Sequence, residues 1–141
     1  STRILNGNNL DIYEDGEETR DFVYIEDVVD ATILGIEKEE ANGQIFNIGS
    51  GIATRVLDVA NTLKRLYNSE INITVSGKFR LGDIRHNFAD LSKSKDILGF
   101  TPKYNFERGI TEFVNWVKTQ EVMEDKYEKS IQQLKNKGLI K

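Results

Sequence analysis

Residues 77–90 read G-K-F-R-L-G-D-I-R-H-N-F-A-D. From Arg80 to Asp90 stand two arginines, two aspartates, an asparagine and the chain's single histidine, His86. Phe79, Ile84 and Phe88 punctuate this polar run like core anchors. A surface loop needs no such anchors, and a core strand does not tolerate so many charges. The stretch therefore calls for internal ion pairs or for a ligand.

The rest of the chain frames that choice. Its 141 residues suit one domain, read over 1–141, with room for one hydrophobic core. Apolar residues at 38% and charged residues at 30% describe a soluble globular protein. A net charge of −4 disfavours general nucleic-acid binding, although a local basic cluster can still hold phosphate. No apolar run approaches the roughly 18 residues of a membrane span. Without cysteine there is no disulfide, thiolate nucleophile or Cys zinc site, and a cytoplasmic location is expected. One histidine argues against a His-rich metal site. The chain opens on Ser in mid-phrase, as a fragment or truncated frame would.

Outward from residues 77–90, the periodicities alternate between strand and helix. Leu10-Asp11-Ile12-Tyr13 alternates like a strand and leads into an Asp-Gly turn, and residues 20–24 read as its partner or successor. Glu26 and Asp27 open a helix that runs to about Lys38, where their charge suits the dipole. Residues 45–48 read as a short strand, and Thr54 as the cap of a helix with Val56, Val59, Ala60, Leu63 and Tyr67 on one side. Residues 71–75 alternate again. Asp90 caps a short helix that Gly99 stops, and Asn105 precedes an amphipathic helix with Phe106, Ile110, Phe113, Val114 and Val117 on one stripe. Residues 121–141 read as a charged C-terminal helix. The expected class is α/β.

Chemistry is sparse. I-F-N-I-G-S-G-I-A-T (45–54) has the strand-glycine-helix shape of a phosphate-binding turn, but Thr54 stands where a dinucleotide fingerprint needs its third glycine. A tight strand-to-helix turn is the simpler expectation. No G-x-S-x-G occurs, and no tyrosine has lysine four residues on. Catalytic and metal-binding residues are expected to be absent. Arg20 and Arg80, each beside an apolar strand residue, could present a planar fork to phosphate, with Asp21 or Asp83 orienting them. They could equally be structural ion pairs.

Five segments in order decide between these. T-R-D-F-V-Y-I-E-D-V (19–28), F-N-I-G-S-G (46–51), F-R-L-G-D-I-R-H-N-F-A-D (79–90), L-G-F-T-P (98–102) and F-E-R-G-I-T-E-F-V-N-W (106–116) together resemble the C-terminal portion of the NAD-dependent epimerase/dehydratase family. These are extended short-chain dehydrogenases acting on nucleotide sugars, and the likeness covers roughly residues 3–120. The wording of 82–90 is closer to the UDP-glucose and dTDP-rhamnose 4-epimerases than to the 4,6-dehydratases.

The resemblance implies a Rossmann-like fold whose smaller part grips a UDP- or dTDP-sugar. By position, Arg20 and Arg80 correspond to the arginines on the substrate diphosphate. Asp83 matches an acidic pocket residue, and Asp11 and Tyr13 match the segment lining the nucleotide base. Asn87 stands where the UDP-galactose type has tyrosine. Phe79, Ile84 and Phe88 would then anchor a segment whose Arg80 and Asp83 face the diphosphate. The family's G-x-x-G-x-x-G and Tyr-x-x-x-Lys are not in this sequence. NAD is therefore expected in the full-length enzyme and not on this chain, which should not turn over alone. Self-association, or the missing N-terminal half, would cover its bare faces. A 4,6-dehydratase fragment and a non-catalytic binding module are the alternatives.

Overall fold

Short strands and amphipathic helices alternate along residues 1–140, the part of the chain that the computed structural model describes. In order they are α1 (Thr2–Leu5), β1 (Leu10–Ile12), β2 (Thr19–Asp21), α2 (Ile25–Glu37), β3 (Ala53–Arg55), α3 (Val56–Leu66), β4 (Ile73–Val75), α4 (Phe106–Lys118) and α5 (Tyr127–Asn136). A π-helical turn, Ser94–Leu98, precedes α4 and ends at Gly99, whose φ of 68° is the left-handed stop that the sequence anticipates. The chain divides into two compact units.

The first unit comprises Ser1–Glu18, Arg55–Arg85 and the chain from residue 113 onward. Its sheet is the parallel pair β1–β4, in the register Leu10 with Ile73, Asp11 with Thr74 and Ile12 with Val75. Alternation puts Ile12 inside, where Ile4, Ala60, Ile71, Val114 and Ile140 are also buried. Helix α3 starts without a side-chain cap. Its first amides, on Val56 and Leu57, donate instead to the carbonyls of Glu18 and Gly16, at 2.8 and 3.3 Å. Thr54 is therefore no cap; it lies one residue too early, inside β3. Glu18 is buried, and its Oε1 finds no partner in the structure. Burial first, then repulsion from Glu14 and Asp15, raises its carboxyl above the ordinary range.

The second unit comprises Thr19–Thr54 and His86–Glu112, with β2 paired to β3. Its core joins Ala31, Ala41, Leu98 and Phe100, with Leu34, Phe46 and Ile48 packed against them. Asp27 is buried in the first turn of α2, where its two oxygens accept from the amides of Lys103 and Tyr104 at 2.8 and 3.1 Å. Residues 45–48 join no sheet, contrary to the sequence expectation. Phe46 and Ile48 turn to the core while Ile45 is 85% exposed, so the alternation that suggests a strand is here an alternation of packing without a neighbouring strand.

Phe79, Ile84 and Phe88 also depart from expectation: they are 40%, 60% and 57% exposed. Residues 79–88 are held by backbone pairing and polar side chains rather than by Phe79, Ile84 and Phe88. Within the first unit Arg80 bridges Ile140, and within the second His86 bridges Thr19.

Candidate functional site

In the second unit, β2 and residues 86–89 run side by side. The Asn87 amide donates to the Thr19 carbonyl at 3.1 Å, and Thr19 Oγ1 meets His86 Nδ1 at 3.0 Å. That contact gives the lone histidine a structural place. Next along, Asp21 gathers the glycine turn: Oδ1 accepts from the Ser50 amide and hydroxyl at 2.7 and 2.6 Å, and Oδ2 accepts from the amides of Gly51 and Ala89 at 2.9 and 3.1 Å. Burial alone would raise this carboxyl, but the bonds from Ser50, Ala89 and Gly51 outweigh it and hold it below the usual value. The amides of Ser50 and Gly51 thus already face an anion, the protein's own. Asp21 is committed there, not to orienting an arginine.

This clamp frames a cavity of about 410 Å³ that Arg20, Phe46, Asn87 and Phe88 help to line. Arg20 Nη1 donates to the Thr19 carbonyl at 2.8 Å, which lays the guanidinium back along its own strand. Two of the six sequence-derived candidates, Arg20 and Asn87, therefore share one cavity.

The other four, Asp11, Tyr13, Arg80 and Asp83, belong to the first unit. The exposed Arg80 holds its guanidinium carbon 5.6 Å from the centre of the Tyr13 ring. Its carbonyl accepts from the Asp83 amide at 3.3 Å, across a turn in which Gly82 has φ of 83°. Asp11 Oδ2 accepts from Lys78 Nζ at 2.8 Å and from the Tyr127 hydroxyl at 3.3 Å. Burial opposes its charge, yet bonds from Lys78, Ser76 and Tyr127 prevail and lower its pKa. The Tyr127 hydroxyl also lies 3.2 Å from that of Tyr13. Burial, then the neighbouring Tyr13 and Asp11, push the Tyr127 phenol well up.

Sequence reasoning missed Tyr127, Lys78 and Arg85. The Arg85 fork spans Glu14 at 2.8 Å and Asp15 at 2.6 Å in structural ion pairs. No local pattern marks Tyr127, an aromatic residue in a charged helix 114 positions from Tyr13. Each unit thus sets an arginine guanidinium beside aromatic side chains. Among the described residues no helix is long and apolar enough to cross a membrane.

Comparison with known proteins gives this arrangement a context. The dTDP-L-rhamnose 4-epimerase of Burkholderia thailandensis is 44% identical over 108 residues, which is 77% of this chain and 30% of that protein. The UDP-glucose 4-epimerase of Thermotoga maritima, solved with UDP-glucose, superposes with a TM-score of 0.76 at 35% identity, over 83% of this chain and 37% of that one. A dTDP-glucose 4,6-dehydratase from Bacillus anthracis, solved with NAD, gives 0.74 at 27% identity, over 85% and 37%. The chain thus spans about a third of the length of the relatives it matches. The likeness is to the α/β epimerase/dehydratase fold, as the order of motifs implied. The family profile described as GDP-mannose 4,6 dehydratase matches residues 1–113, and this chain belongs to that family, within the extended short-chain dehydrogenases.

Proposed function

We propose that this chain is the nucleotide-sugar-binding portion of an NAD-dependent sugar-nucleotide 4-epimerase, with dTDP- or UDP-sugars as ligands. The observation that carries it is the 44% identity with dTDP-L-rhamnose 4-epimerase, which spans most of this chain. In this role Arg20 and Arg80 bind the diphosphate, Asp83 shapes the pocket, and Asp11 and Tyr13 line the base. Asn87 supplies a side-chain amide to the lining of the cavity that Arg20 shares. Tyr13 and Arg80 already adopt the ring-on-guanidinium pairing that a base and diphosphate would extend.

NAD belongs to the full-length enzyme, where it supplies the redox chemistry at the sugar. In the glycine turn at 49–51 the amides of Ser50 and Gly51 already bond to Asp21, which counts against a dinucleotide phosphate there. Turnover needs the cofactor and a base that this chain does not supply, and the chain alone is inactive. The 4,6-dehydratase alternative lacks comparable support.

Titration calorimetry with UDP, dTDP and NAD tests this directly. One charged hydrogen bond to phosphate is worth roughly 1.5–3 kcal/mol. Arg80→Ala and Arg20→Ala should each weaken UDP or dTDP at least about tenfold, with NAD silent. Nucleotide binding indifferent to both substitutions, or no nucleotide binding by the unaltered chain, would overturn the assignment.

A further inference from the structure

Residues 125–140 lie beyond the family match, which ends at 113, yet they are tied at one end to Arg3 and Asn8, just before β1, and at the other to the segment that carries Arg80. At the near end Asp125 is held by Arg3 at 3.1 Å and by the Asn8 side-chain amide at 2.7 Å. Both side chains of the Arg3–Asp125 pair are largely buried, at 19% and 12% exposure, which separates this pair from an ordinary surface contact. Arg3 also lies over the Tyr127 ring at 4.0 Å. At the far end the Leu81 amide donates to the Leu139 carbonyl at 3.0 Å, and Arg80 pairs with the buried Ile140.

Between these anchors the Tyr127 hydroxyl touches two of the proposed base-lining residues at once. A phenol has a single proton to donate. Tyr127 gives it to the Asp11 carboxylate, so the 3.2 Å contact with Tyr13 is completed by the Tyr13 proton. The order is fixed: Tyr13 to Tyr127 to Asp11. This relay sets the ring of Tyr13 and one oxygen of Asp11, while the far anchor sets the backbone carrying Arg80.

We propose that residues 125–140 form a strap that positions the nucleotide site, and that Tyr127 is its positioning residue, acting through Tyr13 and Asp11. The proposal rests on the nucleotide-binding role given to Asp11, Tyr13 and Arg80. Tyr127→Phe removes the hydroxyl and keeps the ring beneath Arg3. Calorimetry of the full chain and of Y127F with UDP and with inorganic pyrophosphate, beside their urea midpoints, separates the outcomes. The strap predicts UDP binding weakened about fivefold by loss of one or two hydrogen bonds, with pyrophosphate affinity unchanged, because only the base-lining residues lose their support. Equal UDP affinity in Y127F, or equal losses for UDP and pyrophosphate, overturns the strap and leaves the nucleotide assignment standing. Tighter UDP binding in Y127F overturns it too, since the strap would then obstruct the site. Failure of the unaltered chain to bind UDP or dTDP overturns the nucleotide assignment and the strap with it.

Discussion

Asp21 accepts four hydrogen bonds with two oxygens, and the turn it gathers leaves no room for error. A Cβ on Gly49 would come within 2.5 Å of the Asp21 carboxylate and 2.7 Å of the Ala89 methyl, so glycine is required there by space. Asp21→Asn turns one acceptor into a donor facing amide protons, and should cost roughly 2–3 kcal/mol in urea unfolding at neutral pH. The carboxyl is held below its ordinary value in the folded state. Its contribution is therefore complete above the unfolded value of about pH 4, and drains away as the pH falls below that towards the folded value. Unfolding curves of the protein and of D21N should converge across that acid window; a constant gap would refute the role. None of this was legible in the sequence. Asp21 stands in T-R-D-F beside Arg20, and adjacency suggested a partner for the arginine, whereas the amides that occupy its oxygens come from residues about thirty and seventy positions away.

At the level of elements, periodicity was a good guide wherever side chains had one dry face. Helices α2 and α4, and the alternating stretches that became β1 and β4, lie where spacing placed them. Asn105, which precedes α4, does more than the sequence indicated: its Oδ1 accepts from the Arg108 amide at 2.9 Å in the first turn and caps the helix. Asn105→Ala should lower stability by about 1 kcal/mol, and an unmoved urea midpoint would deny the cap. The failures have one cause. Thr54 and residues 45–48 were assigned from local pattern, but what decides them is distant backbone: the carbonyls of Gly16 and Glu18 for α3, and the lack of any pairing partner for 45–48. Propensity cannot report where an unrelated carbonyl comes to rest.

Taken whole, the family membership was legible because five weak motifs in fixed order are jointly specific. The strap was not, since its contacts join residues from about sixty to more than a hundred positions apart. Exposed apolar surface completes the description. Along α2, Ile25, Val29, Ile33 and Ile36 are 63%, 49%, 46% and 79% exposed and fall on one side at helical spacing. Covering each such side chain is worth about 1.5–3 kcal/mol. The isolated chain should therefore self-associate through this stripe. Sedimentation velocity should show a mass that grows with concentration, reduced in Ile36→Asp. A single monomeric species at the highest concentrations would count against it.

The two compact units are threaded through each other along the chain: the first draws on three stretches, the second on two. A ribosome delivering this sequence completes neither unit until residues beyond about 112 have emerged. The parallel pairing of Leu10 with Ile73 adds a loop of more than sixty residues that must close before the β1–β4 ladder gains anything. Formation of the β1–β4 ladder should therefore be slow. Arrested nascent chains ending near residue 100 should remain open to protease throughout, and no single cut in the sequence yields either unit as an independently expressible piece.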